Sequence, residues 1–374
     1  MKSGRARGVR RATIVGALAS FLCAGCGTGS QPTQSTPTRA TTTRATPGAS
    51  RSAHWLGLNY NSGAGTGKLT AFSRFGIVYD RLGHLAVNAG QTVESLPELA
   101  QGLRTSITAG MVPDVLVSPV QGPVGCTSDP NGSTLCLPDS PTAIDGFVRG
   151  FVRTVVSIRR AFPGRRVMFE PMNEPWNWPP PPGTRSGFRA AQLYAGMLAR
   201  LLPALKAAGV PLSVVYVPAT GKLADSTSWL PDLYTAEPCL KPGPRSCGPI
   251  EGWNLHPYGP PASTTSGIAE LPVLRRAMRS GEDNIVVSEV GFCDTGVQNS
   301  LCDLNTPTVD GSSGQTARWL TETLQAARRM HDAGWLRALI IWERSGGGWS
   351  MQLPDGALTA QGRALIRFAR TSAH

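Results

Sequence analysis

The chain has 374 residues, 41% of them hydrophobic and 16% charged, enough apolar material for one large core or two ordinary ones. Its net charge of +12 is gathered at the amino end, where eight basic residues precede position 54 and no acidic residue occurs before Asp80. The rest carries only +4, a mildly basic surface that excludes a nucleic-acid footprint.

Residues 1–26 read as an export signal. Lys2, Arg5, Arg7, Arg10 and Arg11 precede an apolar run from Ala12 to Leu22 that is too short to span a bilayer as a stable anchor. The run ends in Leu22-Cys23-Ala24-Gly25-Cys26, which resembles the bacterial lipobox. The resemblance implies cleavage before Cys26, a lipid on that cysteine, loss of Cys23 with the leader, and anchoring at the outer face of the cell membrane. Ordinary secretion is the alternative. Residues 27–53 are Ser, Thr, Pro, Gly, Ala and Arg, with two Gln and few apolar side chains. Such a segment buries too little surface to offset its ordering entropy, so a disordered tether is expected.

From His54 to the end at 374 the pattern alternates between strands and helices. Strands are expected at Trp55–Tyr60, Gly76–Arg81, Pro113–Ser118, Arg166–Glu170, Pro211–Pro218, Ile250–His256, Asn284–Glu289 and Arg337–Trp342. Between them, stretches such as Ile144–Ala161, Arg189–Ala208, Ile268–Arg279 and Gln315–Ala333 repeat apolar positions near the 3.6-residue helical period. Gly110, Gly209 and Gly334 each stand just before a strand and read as helix stops. Eight such units predict one α/β domain, a closed (β/α)8 TIM barrel over residues 54–374. Its first unit has room for only a short helix. An open doubly wound sheet is the alternative, but no Gly-x-Gly-x-x-Gly turn follows any strand.

The fourth strand runs into Phe169-Glu170-Pro171-Met172-Asn173-Glu174-Pro175-Trp176. Pro175 disfavours the α region for Glu174, predicting a carboxylate on an extended corner at the strand's carboxyl end, where barrels place their reactive groups. A single Glu in a polar loop is usually a solvated surface group. A second one, Glu289, ends the β-branched seventh strand, so both belong to the same rim.

Six cysteines follow in three close pairs: Cys126 and Cys136, Cys239 and Cys247, Cys293 and Cys302. In an exported chain they read as local disulfides pinning loops. With no Cys-x-x-Cys among these six and only five scattered His in the chain, no metal site and no cofactor are expected.

Two glutamates at one barrel mouth suit glycoside hydrolysis, one as acid and the other as nucleophile or base. Several motifs together resemble retaining glycoside hydrolases of clan A, most like family 5, the cellulase family, with family 39 close behind. They are Phe169-Glu170-x-x-Asn173-Glu174-Pro175, His256-Pro257-Tyr258, Ser288-Glu289-Val290-Gly291, Trp342, and Asp355-Gly356-x-Leu358-Thr359-x-x-Gly362. The resemblance implies Glu174 as acid/base and Glu289 as nucleophile, with Asn173 on the sugar's 2-hydroxyl and Tyr258 bonded to Glu289. His256 would line the site, Trp342 would floor it, and Arg81 would match the family arginine at the end of strand two and meet the substrate, although Asp80 or His84 could shift that alignment. Glu170 matches a structural glutamate expected to pair with a cation inside the barrel. The family's strand-three histidine has no counterpart in Val115-Leu116-Val117-Ser118-Pro119. Two close carboxylates do not both ionise readily, so one is expected to stay protonated as the acid.

Trp176, Trp178 and Trp349 offer aromatic faces that suit pyranose rings, at least one of them being packing alone. His256 could equally be a hydrogen-bonded core histidine, and Trp342 barrel packing. The expected partner is a carbohydrate substrate. The competing reading is a non-catalytic glycan-binding lipoprotein on a decayed barrel. The particular glycan, endo or exo cleavage and the oligomeric state have no signature in the sequence.

Overall fold

The computed structural model describes residues 54–59, 66–82, 85, 87–119, 137–177, 187–220, 223–241, 243–263, 267–278, 283–294, 308–309, 313–343, 350–353 and 355–372. The leader, the tether, His84, Cys126, Cys136, Trp178, Cys302 and Trp349 lie outside these residues.

Among the described residues, eight barrel strands alternate with eight helices, and three two-residue strands (Val87–Asn88, Cys293–Asp294 and Thr308–Val309) are additional to the barrel. The barrel strands are β1 (Leu56–Asn59), β2 (Ile77–Arg81), β3 (Val112–Ser118), β4 (Met168–Pro171), β5 (Val217–Thr220), β6 (Trp253–Leu255), β7 (Ile285–Val290) and β8 (Leu336–Trp342). The helices are α1 (Thr66–Ser73), α2 (Pro97–Thr108), α3 (Pro141–Ala161), α4 (Gly187–Ala207), α5 (Leu223–Ala236), α6 (Leu271–Met278), α7 (Ser313–Asp332) and α8 (Ala360–Thr371). The short first unit does hold a helix, the eight-residue α1.

Every neighbouring strand pair is parallel. The ring closes twice over: β8 pairs with β1, Trp342 opposite Asn59, and β4 reaches the β5 segment through a bridge between Phe169 and Val215. The sheet is therefore a barrel. Strand β5 starts later than the expected Pro211–Pro218. Pro211 leads into a 3-10 turn at Leu212–Val214, whose bonds from Val214 N to Pro211 O (3.3 Å) and Val215 N to Leu212 O (3.0 Å) keep that stretch off the sheet.

Strand side chains alternate between the helical shell and the barrel interior. At the lower level the interior is filled by Tyr79, Met168, Tyr216, Val286, Ala338 and Ile340. Gly57 faces this layer, where a Cβ would stand 2.6 Å from the Tyr79 Cβ and 2.9 Å from the Ile340 Cγ1, so only glycine fits. The shell is built by amphipathic helices. Ser140 caps α3 by accepting from Ala143 N (3.2 Å), Pro141 opens it, and Phe147, Phe151, Val155 and Ile158 bury one stripe. Gly110, Gly209 and Gly334 take positive φ (79°, 71° and 88°) and stop the helices before β3, β5 and β8. The closing motif folds as its sequence implied, with Thr359 capping α8 by accepting from Gly362 N (3.1 Å).

Candidate active site

At the end of β4 the chain leaves the sheet under strain. Met172 and Glu174 both adopt left-handed backbone, with φ of 73° and 41°. The extended corner expected at Glu174 is thereby corrected: Pro175 disfavours the right-handed region, and the chain meets that restriction by turning left-handed. Such conformations cost on the order of 1–3 kcal/mol each and persist where the surroundings over-determine them. Here Met172 N donates to Val117 O (3.0 Å) and Tyr194 donates to Pro171 O (2.8 Å), so both polar groups of the peptide that enters the turn are held. The result raises the Glu174 carboxyl over the barrel mouth, 23% exposed.

Glu289 is brought in by a different device. Between the pairs Val287–Leu339 and Val290–Ile341, β7 has one residue more than β8. This bulge lets two consecutive residues, Ser288 and Glu289, both reach partners inside the barrel. Glu289 is almost buried and accepts from Tyr258 Oη at 2.8 Å and from Arg81 Nη1. Burial alone would raise its pKa, but His256, Arg81 and the Tyr258 hydrogen bond outweigh it and hold the carboxyl below the usual range. Glu289 is therefore an anion. Tyr258 is the reverse case, with burial, Glu289 and Glu174 pushing its phenol well up so that it stays a donor.

Arg81 is the hub beneath both. Its Nη2 donates to Glu170 Oε2 (2.7 Å) and Asn173 Oδ1 (3.1 Å), its Nη1 to Glu289, and its Nε lies 3.9 Å from Asp114 Oδ2. Asn59, with its amide turned to satisfy both neighbours, donates to Arg81 O and accepts from Nη1, each at 3.2 Å. Burial opposes the guanidinium charge, yet the carboxylates of Glu170 and Glu289 outweigh it and keep Arg81 charged. The expectation that Arg81 meets substrate is corrected: at 1% exposure it is sealed under the carboxylates and positions them. Glu170 pairs with a cation as expected.

His256 is corrected in the same sense. Also 1% exposed, it stands behind Glu174 instead of lining the cleft. Its Nδ1 lies 2.8 Å from Glu174 Oε1 and 3.6 Å from Glu289 Oε2, and its Nε2 lies 3.0 Å from Ser288 Oγ. Burial lowers its basicity, but Glu289 and Glu174 more than restore it, and the ring's pKa is raised. Ligand atoms of Glu174, His256 and Glu289 all fall within 4.8 Å of one another. That spacing would admit a cation, but Arg81 already supplies a positive charge to Glu289.

Glu174 and Glu289 thus converge with Tyr258 and, through Arg81, with Asn173, while Trp342 is half-buried at the carboxyl end of β8, opposite Asn59. Trp176 is half-buried against the same wall, its ring edge-on to His256 (6.2 Å) and Trp229 (6.1 Å). Three members lay in no sequence motif, Asn59, Asp114 and Asn254, while Ser288 stood in the Glu289 motif with no role of its own. Their signal was a polar residue at an inward position of an otherwise apolar strand. Away from the site, Cys239 and Cys247 form the expected local disulfide, and Cys293 is disulfide-bonded as well.

No protein-family model matches the chain, and no curated protein matches it. Solved structures do. A native Bacteroidetes-affiliated GH5 cellulase linked with a polysaccharide utilization locus is 16% identical with a TM-score of 0.54, covering 86% of this chain and 92% of its own. A family 5 xyloglucanase from Paenibacillus pabuli is 11% identical with a TM-score of 0.52, covering 87% and 99%. A GH5-4 broad specificity endoglucanase from Clostridium longisporum is 13% identical with a TM-score of 0.52, covering 87% and 100%. At such identities the likeness establishes the shared fold: the chain is a (β/α)8 barrel of the architecture found in these proteins.

Proposed function

We propose that this protein is a retaining glycoside hydrolase of the family 5 kind, cleaving O-glycosidic bonds in a polysaccharide or oligosaccharide outside the cell. The observation that carries the reading is the pair Glu174 and Glu289 on one rim, with carboxylate oxygens within 4.8 Å and opposite surroundings. Retaining enzymes hold their carboxyl groups about 5–5.5 Å apart and inverting ones about 6.5–9.5 Å, to leave room for a water. The spacing favours retention.

Glu289, ionised and aimed by Arg81 and Tyr258, attacks the anomeric carbon. Glu174 gives a proton to the departing glycosidic oxygen, and the sugar is left as an ester of Glu289. Glu174, now a carboxylate, takes a proton from water, which attacks the same carbon and frees Glu289. The neighbours named cellulase, xyloglucanase and endoglucanase make β-glucans the first substrates to try, and their family name favours family 5 over family 39. Cys26 would carry the lipid and residues 27–53 would be the tether, placing the barrel at the outer face of the membrane, where a substrate too large to import is met.

Glu174→Ala should suppress hydrolysis of natural glycans while still forming a glycosyl-enzyme from an activated aryl glycoside. Azide should then speed turnover and give a retained product. Glu289→Ala should be inactive on both substrates, with azide giving the inverted product. Swapped stereochemistry would exchange the two roles. Glycan binding with no turnover by the unaltered protein would establish the glycan-binding reading instead.

A further inference from the structure

One chain of contacts lies outside the roles described so far, running from Glu174 through His256 and Ser288 to Asn254. Ser288 Oγ is 2.5 Å from Asn254 Oδ1 and 3.0 Å from His256 Nε2, and all three side chains are sealed from solvent. An amide oxygen can only accept, so the single Ser288 proton goes to Asn254. The Ser288 oxygen is then an acceptor towards His256, and Nε2 must carry a hydrogen. With that nitrogen fixed as a donor, only one proton is left for the 2.8 Å contact between His256 Nδ1 and Glu174 Oε1. It sits on the carboxyl with a neutral ring, or on the ring with a carboxylate. The two forms are one titrating unit.

The groups facing His256 are Glu174 beyond β4, Glu289 at the end of β7, Arg81 at the end of β2 and Tyr258 just beyond β6. The Glu289 anion attracts the shared proton toward the ring, and Arg81 opposes it. The unit therefore stays loaded while Glu289 is ionised, which is the state the chemistry needs. Resting on the glycosidase reading above, we propose that Asn254 and Ser288 are positioning residues that lock His256 in the Nε2–H form, so that its Nδ1 shares and stores the acid proton of Glu174. If the lock were reversed, Nδ1–H would donate to a permanently ionised Glu174, and the acid would be lost with every residue of the catalytic pair in place.

The test uses the full chain with ¹⁵N-labelled histidine. In the unaltered protein, long-range proton–nitrogen spectra should show His256 with a protonated Nε2 throughout the active pH range. Ser288→Ala should abolish that preference, and Ser288→Thr, which keeps the hydroxyl, should restore it. Kinetically, Ser288→Ala and Asn254→Ala should lose about 10-fold or more on aryl glycosides with poor leaving groups, where protonation carries the barrier, and little on dinitrophenyl glycosides. The alkaline limb of kcat/KM should move down in pH in both. A neutral Nδ1–H ring in the unaltered protein would overturn the proposal. So would an equal loss on good and poor leaving groups, or no loss on either. Because the spectrum is read without substrate, it decides the tautomer even if the protein proves to hydrolyse no glycan, an outcome that would count against the glycosidase reading alone.

Discussion

Arg81 and Glu289 stand 208 residues apart, and the buried hydrogen bond between them ties the end of β2 to the end of β7. The same guanidinium holds Glu170, 89 residues away, so one cation joins β2, β4 and β7 directly beneath the barrel mouth. The site is therefore held together by charge at a level where the barrel interior turns from apolar to polar.

Replacing Arg81 with Ala would leave Glu170 and Glu289 buried without their cation, and breaking such a pair by removing one partner costs about 3–5 kcal/mol. Denaturant unfolding measures this. Arg81→Lys keeps the charge but loses the fork and separates stability from chemistry. In the unaltered protein Glu289 is held below the usual carboxylate range, so it stays ionised as pH falls and the acid limb of kcat/KM should lie below about 4.3. With Arg81→Lys that limb should move to higher pH. An unmoved limb would mean that Arg81 has no hold on the charge of Glu289.

Tyr258→Phe removes one donor to Glu289 Oε2 and leaves the Arg81 bond to the other oxygen. A hydrogen bond to a charged group contributes about 1.5–3 kcal/mol. The bond favours the anion, so its loss raises the acid limb in the same direction as Arg81→Lys. Pre-steady-state release of an aryl leaving group, which reports attack by Glu289 directly, should be the step that changes.

The barrel was legible because its signals are local. Alternating apolar runs, amphipathic helices and glycine stops before β3, β5 and β8 need no knowledge of which strands touch. The placing of Glu174 and Glu289 on one rim was legible for the same reason, each lying near a strand's carboxyl end beside recognisable neighbours. The backbone at Glu174 was not, because left-handed turns at Met172 and Glu174 depend on contacts from Val117 and Tyr194 that sequence does not display. Nor was the bulge at Ser288 and Glu289, which exists only relative to the register of β8. Arg81 was placed on the right strand but assigned the wrong neighbour, since an arginine at a strand end can face substrate or fold beneath it.

Cys239 and Cys247 close a short loop between α5 and β6, their Cα atoms 5.1 Å apart, and Cys247 N also donates to Cys239 O (3.0 Å). Cross-linking so short a loop contributes about 2–3 kcal/mol at most. The double substitution Cys239→Ala/Cys247→Ala should lower unfolding free energy by no more than that and leave hydrolysis near its original rate, because none of the site's contacts crosses this loop. Tryptic mapping of the unaltered protein should recover the 239–247 linkage.

Asp114 is the group whose charge state is least obvious and easiest to decide. It is fully buried on β3, 3.9 Å from Arg81, and among the described residues neither of its oxygens has a conventional donor in reach. Glu170 Oε1 is also without a donor. Three carboxyls face one guanidinium, and the least well bonded of them is the one expected to take up a proton. Burial and the neighbouring Glu170 indeed push Asp114 well above its ordinary value, so it is a neutral acid that can donate to Glu170. A raised folded-state value means that the folded protein binds the proton more tightly than the unfolded chain. The resulting stability is fully present below the unfolded value, about 3.9, and is lost as pH rises toward the folded one, by up to about 1.4 kcal/mol per pH unit. Asp114→Asn imitates the neutral acid in shape and keeps a donor. It should fold with stability within about 1 kcal/mol of the original at pH 7 and with a flatter dependence on pH. Asp114→Ala should lose more, since it takes the donor from Glu170 and leaves a cavity beside Arg81. Should Asp114→Asn instead destabilise by the 3–5 kcal/mol of a broken buried ion pair, roughly the Arg81→Ala loss, the carboxyl is an anion and the cluster carries one more negative charge than assigned to it.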